Sequence, residues 1–139
     1  MLVKINPLKI TSPYGYRPRN GMKEFHPGID IRVVDDKYNP LPILAPEKMT
    51  IKKVIFDKTW GHAIYAVPYD ENDIGVDEFR FWHVKPYDAC VAGAEFGAGD
   101  EIGTPEKGFV SLHLHFECRS GGKTIDPVEY LKLRNQKFV

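Results

Sequence analysis

A mainly β domain, antiparallel and closed by one short C-terminal helix, is the fold class the sequence predicts. Three observations carry this expectation. Twelve Gly and eleven Pro cut the chain into short pieces, which suits strands and turns better than long helices. Residues 111–119 alternate strictly, with Leu112, Leu114, Phe116 and Cys118 opposite Ser111, His113, His115, Glu117 and Arg119. That is the period-two pattern of a strand with one face in a core. Helix signals gather only near the C-terminus. Asp126 can cap, Pro127 suits the first helical position, and Glu129 completes a capping box before Tyr130, Leu131, Lys132 and Leu133.

Taken in order, residues 1–10 read as an edge strand and residues 11–21, ending in Asn20 and Gly21, as turns and loop. From 28 to 33, Ile29, Ile31 and Val33 oppose Gly28, Asp30 and Arg32, a half-buried strand with Asp30 on its polar face. Pro40 and Pro42 interrupt before a short apolar step at Ile43, Leu44 and Ala45. Residues 49–56 form a longer strand, with 62–67 as its partner across a turn at Trp60 and Gly61. An acidic, polar loop (68–77) leads to an aromatic-rich strand (78–84) containing Phe79, Phe81 and Trp82. Residues 89–103 are glycine-rich, with a short strand near Glu101 and Ile102, and 104–110 loop into the histidine strand.

A chain of 139 residues suffices for one domain with a real core and is too short for two, so residues 1–139 are expected to form a single domain. Its 42% hydrophobic and 27% charged content is that of an ordinary globular protein. Lys plus Arg and Asp plus Glu balance at 19 each, so bulk charge favours neither nucleic acid nor an anionic membrane. No run reaches the length of a membrane span. No nucleic-acid or membrane partner is therefore expected, and a monomer is. Residues 1–7 lack the apolar stretch of a secretory signal. A protein acting outside the cell would then have had its signal removed or be taken there by another route. Cys90 and Cys118 make no disulfide framework. Cys118 falls on the core face, where a buried free thiol is expected, and without a CxxC pair a thiolate zinc site is not.

Candidate chemistry concentrates on two stretches. His113 and His115 share a strand face about 7 Å apart at their Cα atoms, close enough to converge on one small site. The second stretch is His26-Pro27-Gly28-Ile29-Asp30, where Pro27 and Gly28 argue against a helix and for a loop delivering His26 beside Asp30. With His113 or His115 this supplies two imidazoles and a carboxylate, the three-ligand set of a catalytic zinc site with one position open. An HxxxD spacing alone occurs by chance in many chains; the His-x-His strand is what makes it specific. His83 ends the aromatic strand, and His62, beside a turn, reads as a bystander.

His26-x-x-x-Asp30, a lone His83 after an aromatic run, and His113-x-His115 followed by Phe116 and Glu117 together resemble the lysostaphin/LytM-type zinc endopeptidases of bacterial cell walls. The likeness extends to Ser12-Pro13-Tyr14-Gly15-Tyr16-Arg17, to Leu41-Pro42-Ile43-Leu44-Ala45, to Gly99-Asp100-Glu101-Ile102-Gly103 and to the closing Asp126-Pro127 segment. It covers residues 11–131. The resemblance implies a β-sheet or sandwich of that peptidase type over the whole chain and one Zn2+ held by His26, Asp30 and His115. It assigns His83 and His113 as the non-ligand catalytic histidines and a peptide of peptidoglycan as the substrate. The chain departs from the family at 107–112, where a Ser-Thr-Gly-Pro-like turn is usual, and in the acidic loop 68–77.

Metal-assisted peptide hydrolysis is the expected reaction, with the proton handled by His113 or His83 because no HExxH glutamate is present. Glu117 is either a partner orienting His115 or a solvated charge at the strand end. Two other readings compete. One is an inert cell-wall binding or activator module of the same fold. The other is a non-haem Fe(II) oxygenase, which generally uses a tighter His-x-Asp/Glu pair.

Overall fold

The computed structural model describes residues 1–139. Thirteen strands precede a single helix: β1 (Ile10–Ser12), β2 (Gly15–Arg19), β3 (Met22–His26), β4 (Ile29–Ile31), β5 (Ile43–Leu44), β6 (Met49–Asp57), β7 (Gly61–Pro68), β8 (Glu78–Trp82), β9 (Val84–Pro86), β10 (Glu95–Phe96), β11 (Glu101–Pro105), β12 (Leu114–Ser120), β13 (Lys123–Ile125) and α1 (Pro127–Leu133). The main sheet runs β1-β4-β12-β8-β7-β6-β10, with β13 also paired to β12. A three-stranded sheet, β5-β11-β9, and the β2–β3 hairpin complete the fold. These ladders are antiparallel throughout.

The alternation in the sequence decides which face of the main sheet is chemical. Ile29 and Ile31 on β4, Phe79 and Phe81 on β8, and Leu114, Phe116 and Cys118 on β12 are fully buried. They share one core with Leu2, Val3 and Leu8 from the N-terminus, Ile43, Val84 and Ile102 from the small sheet, and Tyr130 and Leu131 from the helix. Phe79 and Phe116 stack at 5.7 Å, and Phe79 meets Tyr130 at 5.0 Å. The opposite face carries cross-strand rows. Asp30 pairs with His115, which pairs with Trp82, which pairs with Ala63; the next row is Glu117, Arg80 and Tyr65.

Several expectations shift in detail. The N-terminal strand is shorter than residues 1–10: only Ile10 belongs to β1, and Leu2, Val3 and Leu8 are buried in a non-strand segment. Residues 11–21 are not simply loop, because β2 and β3 pair through a turn with Asn20 (φ 52°) and Gly21 (φ 76°) both left-handed. That is the backbone of a type I′ hairpin turn, whose twist matches the flanking strands. The histidine strand begins at Leu114 rather than Ser111, because its neighbours run out there: β4 ends at Ile31 opposite Leu114, and β8 ends at Trp82 opposite His115. Thr104 and Pro105 extend β11, so the loop before the site starts at Glu106. At the helix, Asp126 Oδ1 accepts from the Val128 amide at 3.0 Å. Glu129 makes no reciprocal bond and acts as an acidic group in the first turn. Cys118 is a fully buried free thiol, and Cys90 is buried and free as well.

Candidate metal centre

Three donor atoms from two segments meet on the polar face of the main sheet. His26 Nε2 lies 3.1 Å from His115 Nδ1 and 3.2 Å from Asp30 Oδ1, and His115 Nδ1 lies 3.0 Å from the same oxygen. Each ring is held by its other nitrogen. His26 Nδ1 faces the Pro13 carbonyl at 2.8 Å, so it carries the proton and leaves Nε2 as a lone pair. His115 Nε2 faces the Glu117 carboxylate at 2.9 Å, so the lone pair of a neutral ring sits on Nδ1. Two lone pairs and a carboxylate oxygen thus point at one another with no proton between them. Such a triangle is unfavourable unless something positive sits in it. In the metal-free protein a proton is favoured there: burial disfavours the charged His115 ring, but its bonds to Asp30 and Glu117 outweigh burial and raise its pKa. Asp30 is also buried, yet the imidazoles of His115, His26 and His113 around it hold its carboxyl well below the usual range.

The donor set suits zinc. Edges of 3.0–3.2 Å are close to the roughly 3.3 Å separation of two ligands in a tetrahedral site with bonds of about 2.0 Å. One nitrogen each from two imidazoles and one carboxylate oxygen, with the remaining side open to a cleft, leave one position free. His26, Asp30 and His115 are the group that could hold the ion. Glu117 is 5% exposed and is fixed in turn by Arg119, 3.0 Å from its second oxygen. It is therefore a buried, paired carboxylate facing His115 Nε2 rather than a solvated strand-end charge. Arg17 stands 3.9 Å behind the outer oxygen of Asp30 and also bonds the Ser12 hydroxyl.

Close packing places this set. Gly28 passes so near β12 that a Cβ there would stand 2.9 Å from Glu117 Cγ and 3.0 Å from His115 Nε2, and would collide with the Phe116 carbonyl. Only glycine lets the 26–30 segment lie against the strand that bears His115.

His83 and His113 flank the triangle, their rings 4.7 Å apart. His113 donates Nδ1–H to the Ser111 carbonyl at 2.8 Å and brings Nε2 to 3.7 Å from Asp30 Oδ1. His83 donates Nδ1–H to the Trp60 carbonyl at 2.8 Å. In both rings Nε2 is the nitrogen left to act. Burial pushes the His83 pKa down, which keeps it neutral near pH 7. Its backbone is left-handed (φ 67°) at the break between β8 and β9, a conformation costing about 1–3 kcal/mol in a non-glycine residue. The surrounding bonds impose it: the His83 amide donates to the His62 carbonyl at 3.0 Å, and the Glu106 amide donates to the His83 carbonyl at 2.9 Å.

His62, read from the sequence as a bystander, belongs to this brace. Buried Glu106 accepts the His62 amide and the His62 ring nitrogen, both at 2.6 Å. Gly61 leaves room for that carboxylate, since a Cβ there would overlap Glu106. Nothing in the local pattern of either residue signals the contact; they are 44 positions apart. The cleft above the site, about 450 Å³, is walled by Trp60, Tyr65 and Trp82.

No family model matches the chain, and no curated protein matches it in sequence. Solved structures do. The catalytic domain of the antimicrobial peptidase lysostaphin from Staphylococcus simulans aligns at 25% identity with a TM-score of 0.67, over 91% of this chain and 94% of that one. LytU aligns at 21% identity and a TM-score of 0.72, over 94% and 88%. A chain of the SpoIIIAH and SpoIIQ complex aligns at 16% identity and a TM-score of 0.72, over 94% and 97%. On its strand order, its single C-terminal helix and these likenesses, the chain has the lysostaphin/LytM-type peptidase fold.

Proposed function

We propose that the protein is a zinc-dependent endopeptidase that hydrolyses a peptide bond of bacterial peptidoglycan. The observation that carries this reading is the triangle of His26 Nε2, His115 Nδ1 and Asp30 Oδ1, three acceptor atoms about one point with two further imidazoles beside them. Zinc in that position would supply Lewis acidity, polarising a carbonyl and lowering the pKa of water to about 7. The chain's own groups do the rest. His113 Nε2, on the open side of Asp30, takes a proton from the attacking water. His83 Nε2, neutral and steadied through Nδ1 by the Trp60 carbonyl, gives a hydrogen bond or proton to the carbonyl oxygen or leaving amine. The two rings are interchangeable on geometry alone, and pH–rate profiles of the single variants divide the roles. Trp60, Tyr65 and Trp82 narrow the cleft and exclude water from one side of the substrate.

Metal analysis of purified protein should find about one zinc per chain, and His26→Ala should lose it. His113→Ala should keep the metal and lose release of amines from peptidoglycan. Wild-type release by His113→Ala would refute the role given to it. A second reading has one observation in its favour, the same fold in a chain of the SpoIIIAH–SpoIIQ complex. If this protein acts only as a binding module, it sediments with cell walls and releases no amines even when loaded with zinc.

A further inference from the structure

The groove continues past the triangle. Asp30 and His113 also line a second depression, on the β1–β4 side, together with Lys9, Arg32, Thr11 and Ser111. The first cleft carries aromatic rings as well as arginines; this one presents Lys9 and Arg32 beside hydroxyls. Arg32 donates Nε to the Val34 carbonyl at 3.0 Å and Nη2 to the Asp35 carbonyl at 2.9 Å. The Asp35 carboxylate is turned into its own loop, accepting the Lys37 and Asn39 amides at 2.9 Å each. The guanidinium is thus held in place by two neutral carbonyls, with Nη1 unengaged and no carboxylate paired to it. Lys9 makes no ion pair either, and its carbonyl accepts the Arg32 amide at 3.0 Å, which sets the two residues side by side at the sheet edge. A fixed guanidinium beside an ammonium, neither of them in an ion pair, is an arrangement that recognises an anion.

Position decides which anion. Arg32 is two residues beyond Asp30 in the same alternation, so it lies about 7 Å along the strand, the length of about two extended residues of a bound peptide. We propose that Lys9 and Arg32 form a subsite for a free carboxylate of the substrate, carried within about two residues of the scissile bond; this rests on the peptidase reading above. Peptidoglycan with free carboxylates is then the preferred substrate class. The same material with those groups as carboxamides fits the space but loses the charge that the two cations answer.

The test compares soluble peptidoglycan fragments before and after their carboxylates are converted to carboxamides by carbodiimide coupling with ammonium. Binding is measured on chelator-treated protein, where no bond is cut, and KM and kcat on the zinc-loaded enzyme. Wild type should bind native fragments about 10–100-fold more tightly, the worth of one or two charge-assisted hydrogen bonds, and show the difference in KM rather than kcat. Lys9→Ala and Arg32→Gln should lose most of that discrimination while binding amidated fragments as wild type does. Since Arg32 also braces the 34–35 turn, Lys9→Ala, on an exposed side chain, is the decisive variant. Equal wild-type affinity for both fragments, or full discrimination in Lys9→Ala, overturns the subsite. If wild type cleaves neither substrate, the peptidase reading fails, while the binding comparison still decides the subsite.

Discussion

Glu117→Gln isolates the one carboxylate that touches a ligand of the proposed metal without being a ligand itself. Glu117 stands between two donors, the His115 ring at 2.9 Å and the Arg119 guanidinium at 3.0 Å. A carboxylate accepts from both. An amide of the same volume has one oxygen, so one of the two donors must face an N–H. If that donor is His115, the ring relieves the clash by moving its proton to Nδ1, into the triangle where the metal would bind. Groups that orient a metal-bound histidine are worth about 10–100-fold in metal affinity, or about 1.4–2.7 kcal/mol. Glu117→Gln should lose zinc affinity within that range and Glu117→Ala should do the same, although the first keeps the packing and the second does not. The assay is competition against a chromophoric chelator in zinc-buffered solution, with thermal unfolding of the metal-free variants as a control for folding. If Glu117→Gln binds zinc within about a factor of two of wild type while His26→Ala does not bind it, tautomer control by Glu117 is wrong.

Gly28→Ala should destabilise the protein by about 1–3 kcal/mol through overpacking against Phe116, His115 and Glu117, with a lower Tm and weakened zinc binding appearing together. Glu106→Ala should lower kcat more than it changes KM, because it frees the His62 amide and ring and so loosens the residue whose carbonyl holds the left-handed His83; an unchanged kcat in a folded variant contradicts this. Acidity should act in opposite directions on the two forms of the protein. The raised His115 pKa stabilises the metal-free fold below the ordinary imidazole value, and that contribution is lost as pH rises through the raised value. In the zinc-loaded form protons compete with the metal for the same atom, so its extra stability should grow with pH over the same interval. Melting curves with and without chelator between about pH 5 and 8 check both trends.

Much of this site is legible in the residues because its chemistry sits on regular alternation. Leu114, Phe116 and Cys118 enter the core, which leaves His115 and Glu117 no direction but the other face. The same logic fixes Asp30 between Ile29 and Ile31. Alternation cannot say where a strand stops, which depends on what lies beside it, and residues 111–113 leave the ladder because β4 and β8 have already ended. Nor does it reveal contacts made by backbone carbonyls, so the partners of the His26, His83 and His113 rings at Pro13, Trp60 and Ser111 emerge only in three dimensions. Asn20-Gly21 was a readable signal, an Asn-Gly pair between two short pairing segments, and it marks a hairpin where composition alone suggests loop.

The register of β4 on β12 has a consequence for the ends of the chain. That ladder consists of three residue pairs, Leu114 with Ile31, His115 with Asp30, and Phe116 with Ile29. It alone ties β4, and through it β1, to the rest of the main sheet. His115 and Asp30 are 85 positions apart, so an ion held between them would act as a cross-link closing a long loop across a seam of only three residue pairs. Filling the site would then do more than prepare it for chemistry. It would also hold the 26–30 segment against β12.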